Sequence, residues 1–122
     1  MEAPEKSRLG ILVGRKIEVV HLHRWGGLFI LGDENPRIKI HFDSGLLFTG
    51  ADGNTTELDD MRTDGGSICS LLGLAIEDVE GKSPDPKYRD YQLLLNIESG
   101  IRLELLYCAF VEVDGSTIFP TH

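Results

Sequence analysis

The nonapeptide Leu12-Val13-Gly14-Arg15-Lys16-Ile17-Glu18-Val19-Val20 returns fifty-nine residues later as Leu71-Leu72-Gly73-Leu74-Ala75-Ile76-Glu77-Asp78-Val79, with Leu, Gly, Ile, Glu and Val at the same five places. Self-similarity at a fixed spacing marks a duplicated supersecondary unit, because one copy cannot bury its apolar face alone. Upstream of each copy, Leu9 aligns with Ile68, Leu12 with Leu71 and Val13 with Leu72. These positions stand at i, i+3 and i+4, the spacing of one helical face. The repeated glycine suits the left-handed position that ends a helix and turns the chain into a strand. In the second copy Asp64 or Ser67 is suited to cap the helix start. In the first copy Gly10 weakens the helix, so a turn or a single helical loop is expected there.

Downstream, strand signals follow in the same order. Lys16 to His23 is rich in β-branched residues, Trp25-Gly26-Gly27 reads as a turn, and Leu28 to Leu31 is a short apolar strand. Arg37 to Phe42 alternates, with Ile38, Ile40 and Phe42 on one face and Arg37, Lys39 and His41 on the other. Leu46 to Thr49 is expected to pair back as a hairpin. In the second copy the strands are Ala75 to Val79, Tyr91 to Ile97 and Ile101 to Tyr107, with a last short edge strand at Ile118-Phe119. Arg37 to Ile40 aligns with Arg102 to Leu105 at a spacing of 65, which places six extra residues in the loop holding Pro84 and Pro86.

The expected fold class is α+β, mainly β. Two internally repeated antiparallel meanders, each led by a short helical turn, pack as a sandwich or a flattened barrel. A chain of 122 residues is one domain by size, with repeats at about 8–49 and 67–113 joined by an acidic linker at 50–66. Ile17, Val20, Ile38 and Ile40 should then share a core with Ile76, Val79, Leu103 and Leu105.

The arrangement helix, Leu-x-Gly-x-x-Ile-x-x-Val, strands, an acidic linker containing Asp-Gly, then the same motif again, resembles a family of small two-repeat bacterial domain proteins. Some members of that family are associated with toxin–immunity gene neighbourhoods. The resemblance covers Leu9 to Leu106 and rests on hydrophobic residues and glycines, so it implies a fold and carries over no catalytic residue. The chain departs from the pattern after Leu106, where the family would have an acidic-aromatic motif and this sequence reads AFVEVDGSTIF from Ala109.

Charge narrows the function classes. The net charge is −8. From Asp52 to Glu80 there are eight acidic residues against Arg62 alone, so that segment carries −7 of it. A sequence-independent nucleic-acid binder needs the opposite sign to neutralise phosphates, so direct nucleic-acid binding is not expected. A concentrated acidic segment instead attracts a basic protein by steering and complementary pairing, a toxin covered by an immunity-type inhibitor being one form. The candidate partner-binding residues are Glu57, Asp59, Asp60 and Asp64, which precede the expected helix, together with Trp25, the sole tryptophan. The four carboxylates are expected to be solvated and dispensable for folding. Trp25 either presents a binding hot spot or folds back over the end of the core. A structural or oligomerising β-domain, including a homodimer, is the alternative function, and an unclassified ligand-binding protein or enzyme the second alternative.

Other chemistry has weaker support. His21-x-His23 places two imidazoles on one strand face, with His41 on a neighbouring strand as a third, but no Cys or carboxylate completes a set and Arg24 adds a positive charge. Asp52-Gly53-Asn54 with Glu57, Asp59 and Asp60 does not fit a calcium loop. There is no nucleophile elbow and no phosphate loop. The expected reading is therefore a non-catalytic protein with no metal and no cofactor. No apolar run approaches the roughly 20 residues that span a bilayer, and the charged N-terminus lacks a secretory signal. Cys69 and Cys108, each in an apolar segment, are expected as buried thiols, which suits a reducing cytoplasm.

Overall fold

The computed structural model describes residues 8–32, 35–82 and 91–120. Among the described residues the elements follow one another as β1 (Ile17–His23), β2 (Gly26–Leu31), β3 (Ile38–Asp43), β4 (Leu46–Thr49), β5 (Thr55–Leu58), α1 (Met61–Cys69), β6 (Ile76–Lys82), β7 (Gln92–Ile97), β8 (Ile101–Leu105), β9 (Phe110–Val113) and β10 (Ser116–Phe119). A 3-10 turn, Gly10–Leu12, leads into β1 as α1 leads into β6. The strands form two antiparallel five-stranded sheets, in the orders β1-β2-β3-β9-β10 and β5-β4-β8-β7-β6. The fold is mainly β, a sandwich rather than a closed barrel.

The repeated nonapeptides pair with each other. Gly14 N–H donates to Ile76 O (2.7 Å) and Gly73 N–H to Ile17 O (2.7 Å), while Ile17 N–H donates to Leu74 O and Ile76 N–H to Arg15 O, both 2.9 Å. Lys16 and Ala75, fifty-nine residues apart, form the bridge between them. Every bond has its counterpart at the equivalent position, so a local pseudo-twofold axis passes through Lys16/Ala75. Gly14 and Gly73 sit at φ +86° and +85°, which a side chain with a Cβ rarely adopts, and this explains the repeated glycine. The repeated glutamates have a backbone reason too: Glu18 and Glu77 each fall inside a register shift, where the ladder skips one residue.

The two meanders do not form one sheet each. Three strands of the first half (β1, β2, β3) take the last hairpin of the second (β9, β10), and β6, β7, β8 take β4 and β5 in return. Leu46–Thr49 accordingly does not pair back on β3; it lies between β5 and β8 in the opposite sheet. The ladders also correct the alignment of the halves. Ile40 stands where Leu103 stands, next to Phe29 and Val111 in one sheet and to Leu95 and Phe48 in the other. The spacing there is 63, not 65. An error of two residues preserves the alternation of a strand, so the expected inward faces survive it. Seven more residues separate β6 from β7 than β1 from β2, and three fewer separate β7 from β8 than β2 from β3. The loop with Pro84 and Pro86, expected to hold the insertion, and the N-terminal segment Met1 to Lys6 lie outside the described residues.

The core is one cluster drawn from both sheets. Ile17, Ile38, Ile40, Ile76, Val79, Leu103 and Leu105 are buried as expected; Val20 is only partly buried and packs against them. The segment 50–66, expected as a linker, contains β5 and the first six residues of α1. The helix starts at Met61, capped by Asp60 rather than by Asp64 or Ser67, and turns Met61, Gly65 and Ile68 to the core. Both cysteines are exposed thiols, contrary to expectation. Cys69 lies about 100° round the helix from the buried Ile68. Cys108 sits at φ 51° in the bend before β9, and the next residue, Ala109, is the one turned inward.

Candidate functional site, the acidic corner at the start of the helix

Four connections meet at one end of the molecule because backbone bonds tie them together. The two-residue turn Arg24-Trp25 closes the β1–β2 hairpin. Ser44 N–H donates to Trp25 O (2.8 Å), Met61 N–H to Arg24 O (3.2 Å), Gly45 N–H to Leu58 O (2.9 Å) and Asp43 N–H to Tyr107 O (3.2 Å). The hairpin tip, the β3–β4 turn, the start of α1 and the segment after β8 therefore form one surface.

On that surface Trp25 is 58% exposed and Tyr107 49% exposed. Trp25 does not fold back over the core. Arg24 lies over its ring, 4.3 Å from the centroid, and reaches the Asp60 carboxylate at 3.7 Å. Tyr107 packs over Gly45, where an added Cβ would come within 2.9 Å of the phenol ring. At φ +88° Gly45 supplies both the turn and the room for that ring.

The four candidate carboxylates divide into two kinds. Asp60 is the helix cap: its Oδ1 accepts from Arg62 N–H at 3.0 Å, and the Arg62 guanidinium donates to Oδ1 (3.3 Å) and Oδ2 (3.1 Å). The Arg62 side chain and its backbone N–H, with Arg24 nearby, hold the Asp60 carboxyl below the usual carboxylate range. Asp64 Oδ2 accepts from the backbone of Asp59 (3.0 Å) and Asp60 (3.3 Å), donors that otherwise have no partner at a helix start. Both are half-buried and engaged in building the helix, not simply solvated. Glu57 and Asp59, by contrast, are exposed, and among the described residues their side chains make no hydrogen bond or ion pair.

Glu57 also opens an acidic row that the sequence order conceals. Across the outer face of the second sheet, adjacent strands place Glu57, Leu47, Glu104, Leu94 and Glu80 side by side. Glu104 is met by Arg102 at 3.5 Å; Glu57 and Glu80 end the row in solvent.

The remaining candidates separate. His21 and His41 occupy one row of the first sheet with Leu28 between them, so their backbones stand about 10 Å apart, two strand spacings. His41 is hydrogen-bonded to Glu112, and His23 Nδ1 accepts from Trp25 N–H at 3.3 Å. Among the described residues no group of three or more His, Cys, Asp or Glu is placed to hold a metal ion. Asp52 accepts from Asn54 N–H (2.9 Å) and Nδ2 (3.0 Å), which lowers its pKa and ties it into the β4–β5 turn. No helix among the described residues is long and apolar enough to cross a membrane.

Sequence reasoning missed Tyr107, taken as the end of a strand, and missed Glu80 and Glu104. The signal for Glu104 was its place on the polar face of an alternating strand; the signal for Tyr107 was absent, because β8 ends two residues before it. No family model matches the chain, and no curated protein and no solved structure matches it.

Proposed function

We propose that the protein is a non-catalytic binding module that engages a basic protein partner through the acidic corner and the adjoining row on the second sheet. The observation that carries this reading is the pairing of two exposed aromatics, Trp25 and Tyr107, with the uncompensated carboxylates of Glu57 and Asp59. Trp, Tyr and Arg dominate interface hot spots, since they bury much area at little entropic cost, and surrounding charges steer the encounter. Exposing such rings without a partner leaves apolar area in water, at about 25 cal/mol per Å². An immunity-type inhibitor that covers a basic toxin surface is the form of this reading that the family resemblance suggests.

The test is affinity capture from the native host with the wild-type chain and with Trp25→Ala/Tyr107→Ala. The reading expects a basic protein retained by the first and lost from the second, with both chains folded. Equal retention would sink it.

Self-association is the second reading, and a separate observation favours it. Ile11, Val13 and Leu72 are exposed, and Val13 and Leu72 occupy equivalent positions beside the pseudo-twofold bridge. A concentration-dependent dimer abolished by Val13→Ser/Leu72→Ser would support it; a monomer at all concentrations would not.

A further inference from the structure

A cleft of about 380 Å³ opens beside the corner: Cys108, which follows Tyr107, and His23, which precedes the Arg24-Trp25 turn, both line it. Its volume is in the range of sites that take up small ligands and single side chains. Gly27 contributes no side chain, and Phe42 and Phe110 supply aromatic walls. The His41 ring lies flat on Phe110, with centroids 4.1 Å apart and planes within 4°. Glu112 holds the imidazole from the next strand, so the two rings form a fixed platform whose polar edge already has a partner. Asp43, also part of the lining, is exposed, and among the described residues its carboxylate makes no hydrogen bond or ion pair. Among the described residues no Lys or Arg lines the cleft.

Flat rings beside one carboxylate that has no cation near it among the described residues describe a receptor for a planar cation. Resting on the reading of a basic protein partner, we propose that this cleft receives an arginine side chain of that partner, its guanidinium stacked on the His41–Phe110 platform and donating to Asp43. A guanidinium is planar, weakly hydrated and able to donate two parallel N–H bonds to a carboxylate, whereas the ammonium of lysine is a strongly hydrated point charge that gains less from a flat ring.

The test needs no partner. N-acetyl-arginine methylamide, its citrulline counterpart and its lysine counterpart are titrated into the full chain and followed by amide NMR shifts. The arginine probe is expected to give saturable shifts at Gly27, Ala109 and Thr117 with a dissociation constant on the order of millimolar. Citrulline, the neutral isostere, is expected to bind about tenfold more weakly, and lysine also more weakly, in line with the loss of one charge-assisted bond. Asp43→Asn is expected to weaken arginine by a similar factor, while Asp78→Asn, exposed on β6 in the other sheet, leaves it within about twofold. Equal binding of arginine and citrulline, shifts confined to the start of α1, or no saturable shift would overturn the proposal. The two ideas fail separately: arginine binding in a chain that captures no basic protein refutes the partner reading alone, and capture without arginine binding refutes the cleft alone.

Discussion

The inner and outer faces of the two sheets obey different rules. On the inner face the equivalent rows are Val20–Phe29–Ile40–Val111–Phe119 and Val79–Leu95–Leu103–Phe48–Thr56, apolar at every place but one. On the outer face His21–Leu28–His41–Phe110 stands where the other sheet has Glu80–Leu94–Glu104–Leu47. The leucines of β2 and β7 agree; the ionisable positions, His41 and Glu104 on the central strands among them, do not. A duplicated chain must keep its shared core, since each half buries the other, but nothing in packing ties the outer positions together. Divergence between equivalent outer positions is therefore where function can be written without cost to the fold. It also breaks the pseudo-symmetry of charge, leaving one face histidine-rich and the other acidic.

The exception inside the core gives the largest contrast. Phe119 is fully buried, while Thr56, its equivalent, is exposed on the edge strand β5. Phe119→Ala should cost about 3–5 kcal/mol in urea unfolding, and Thr56→Ala should stay within about 0.5 kcal/mol. Similar costs at the two positions would contradict the difference in burial between the two edge strands. At the bridge, Ile76→Ala should cost about 2–5 kcal/mol and Ile17→Ala a comparable amount, because both are fully buried at equivalent places.

The helix cap sharpens the comparison between engaged and available carboxylates. Because the Asp60 pKa is lowered in the folded chain, its contribution to stability is complete above the ordinary carboxylate range and is lost as pH falls through the lowered value. Asp60→Asn should therefore flatten the acid limb of the stability curve. Thermal melts between pH 2 and pH 6, chosen to bracket the usual carboxylate pKa of about 4, check this. The smallest structural effect expected is chemical: both thiols, being exposed, should react with a thiol reagent in the native state without denaturant. A burst of reaction only on unfolding would restore the buried assignment.

How much of this was legible in the residues follows from which interactions are local. The nonapeptide repeat, the left-handed glycines and the alternation of Ile38, Ile40 and Phe42 are local, and they were readable. The exchange of hairpins was not, because a strand's sequence shows which face is buried and not which strand lies beside it. Asp60 was hidden as a cap because Gly65 and Gly66 weaken the helical pattern that follows it. Trp25 and Asp60 are thirty-five residues apart in the chain, and contacts of Arg24, its ion pair with Asp60 and its carbonyl bonded to Met61 N–H, bring them together. The thiols were misjudged because an apolar neighbourhood in sequence does not fix the side of a helix or bend on which a single residue falls.

The most direct test of the partner-binding claim is the association rate of the captured partner at low ionic strength, compared across opposite faces. Glu57→Gln/Asp59→Asn leaves both capping carboxylates in place, and Lys39→Gln alters the outer face of the first sheet without touching the corner. Removing steering charges lowers on-rates by factors of ten or more at low salt. The double variant should associate about tenfold more slowly than wild type, a difference that shrinks as salt screens it over about 10 Å at 0.1 M, and Lys39→Gln should not slow association at all. Unchanged kinetics in the double variant, or equal slowing by Lys39→Gln, would contradict the assignment of the acidic corner as the surface the partner meets.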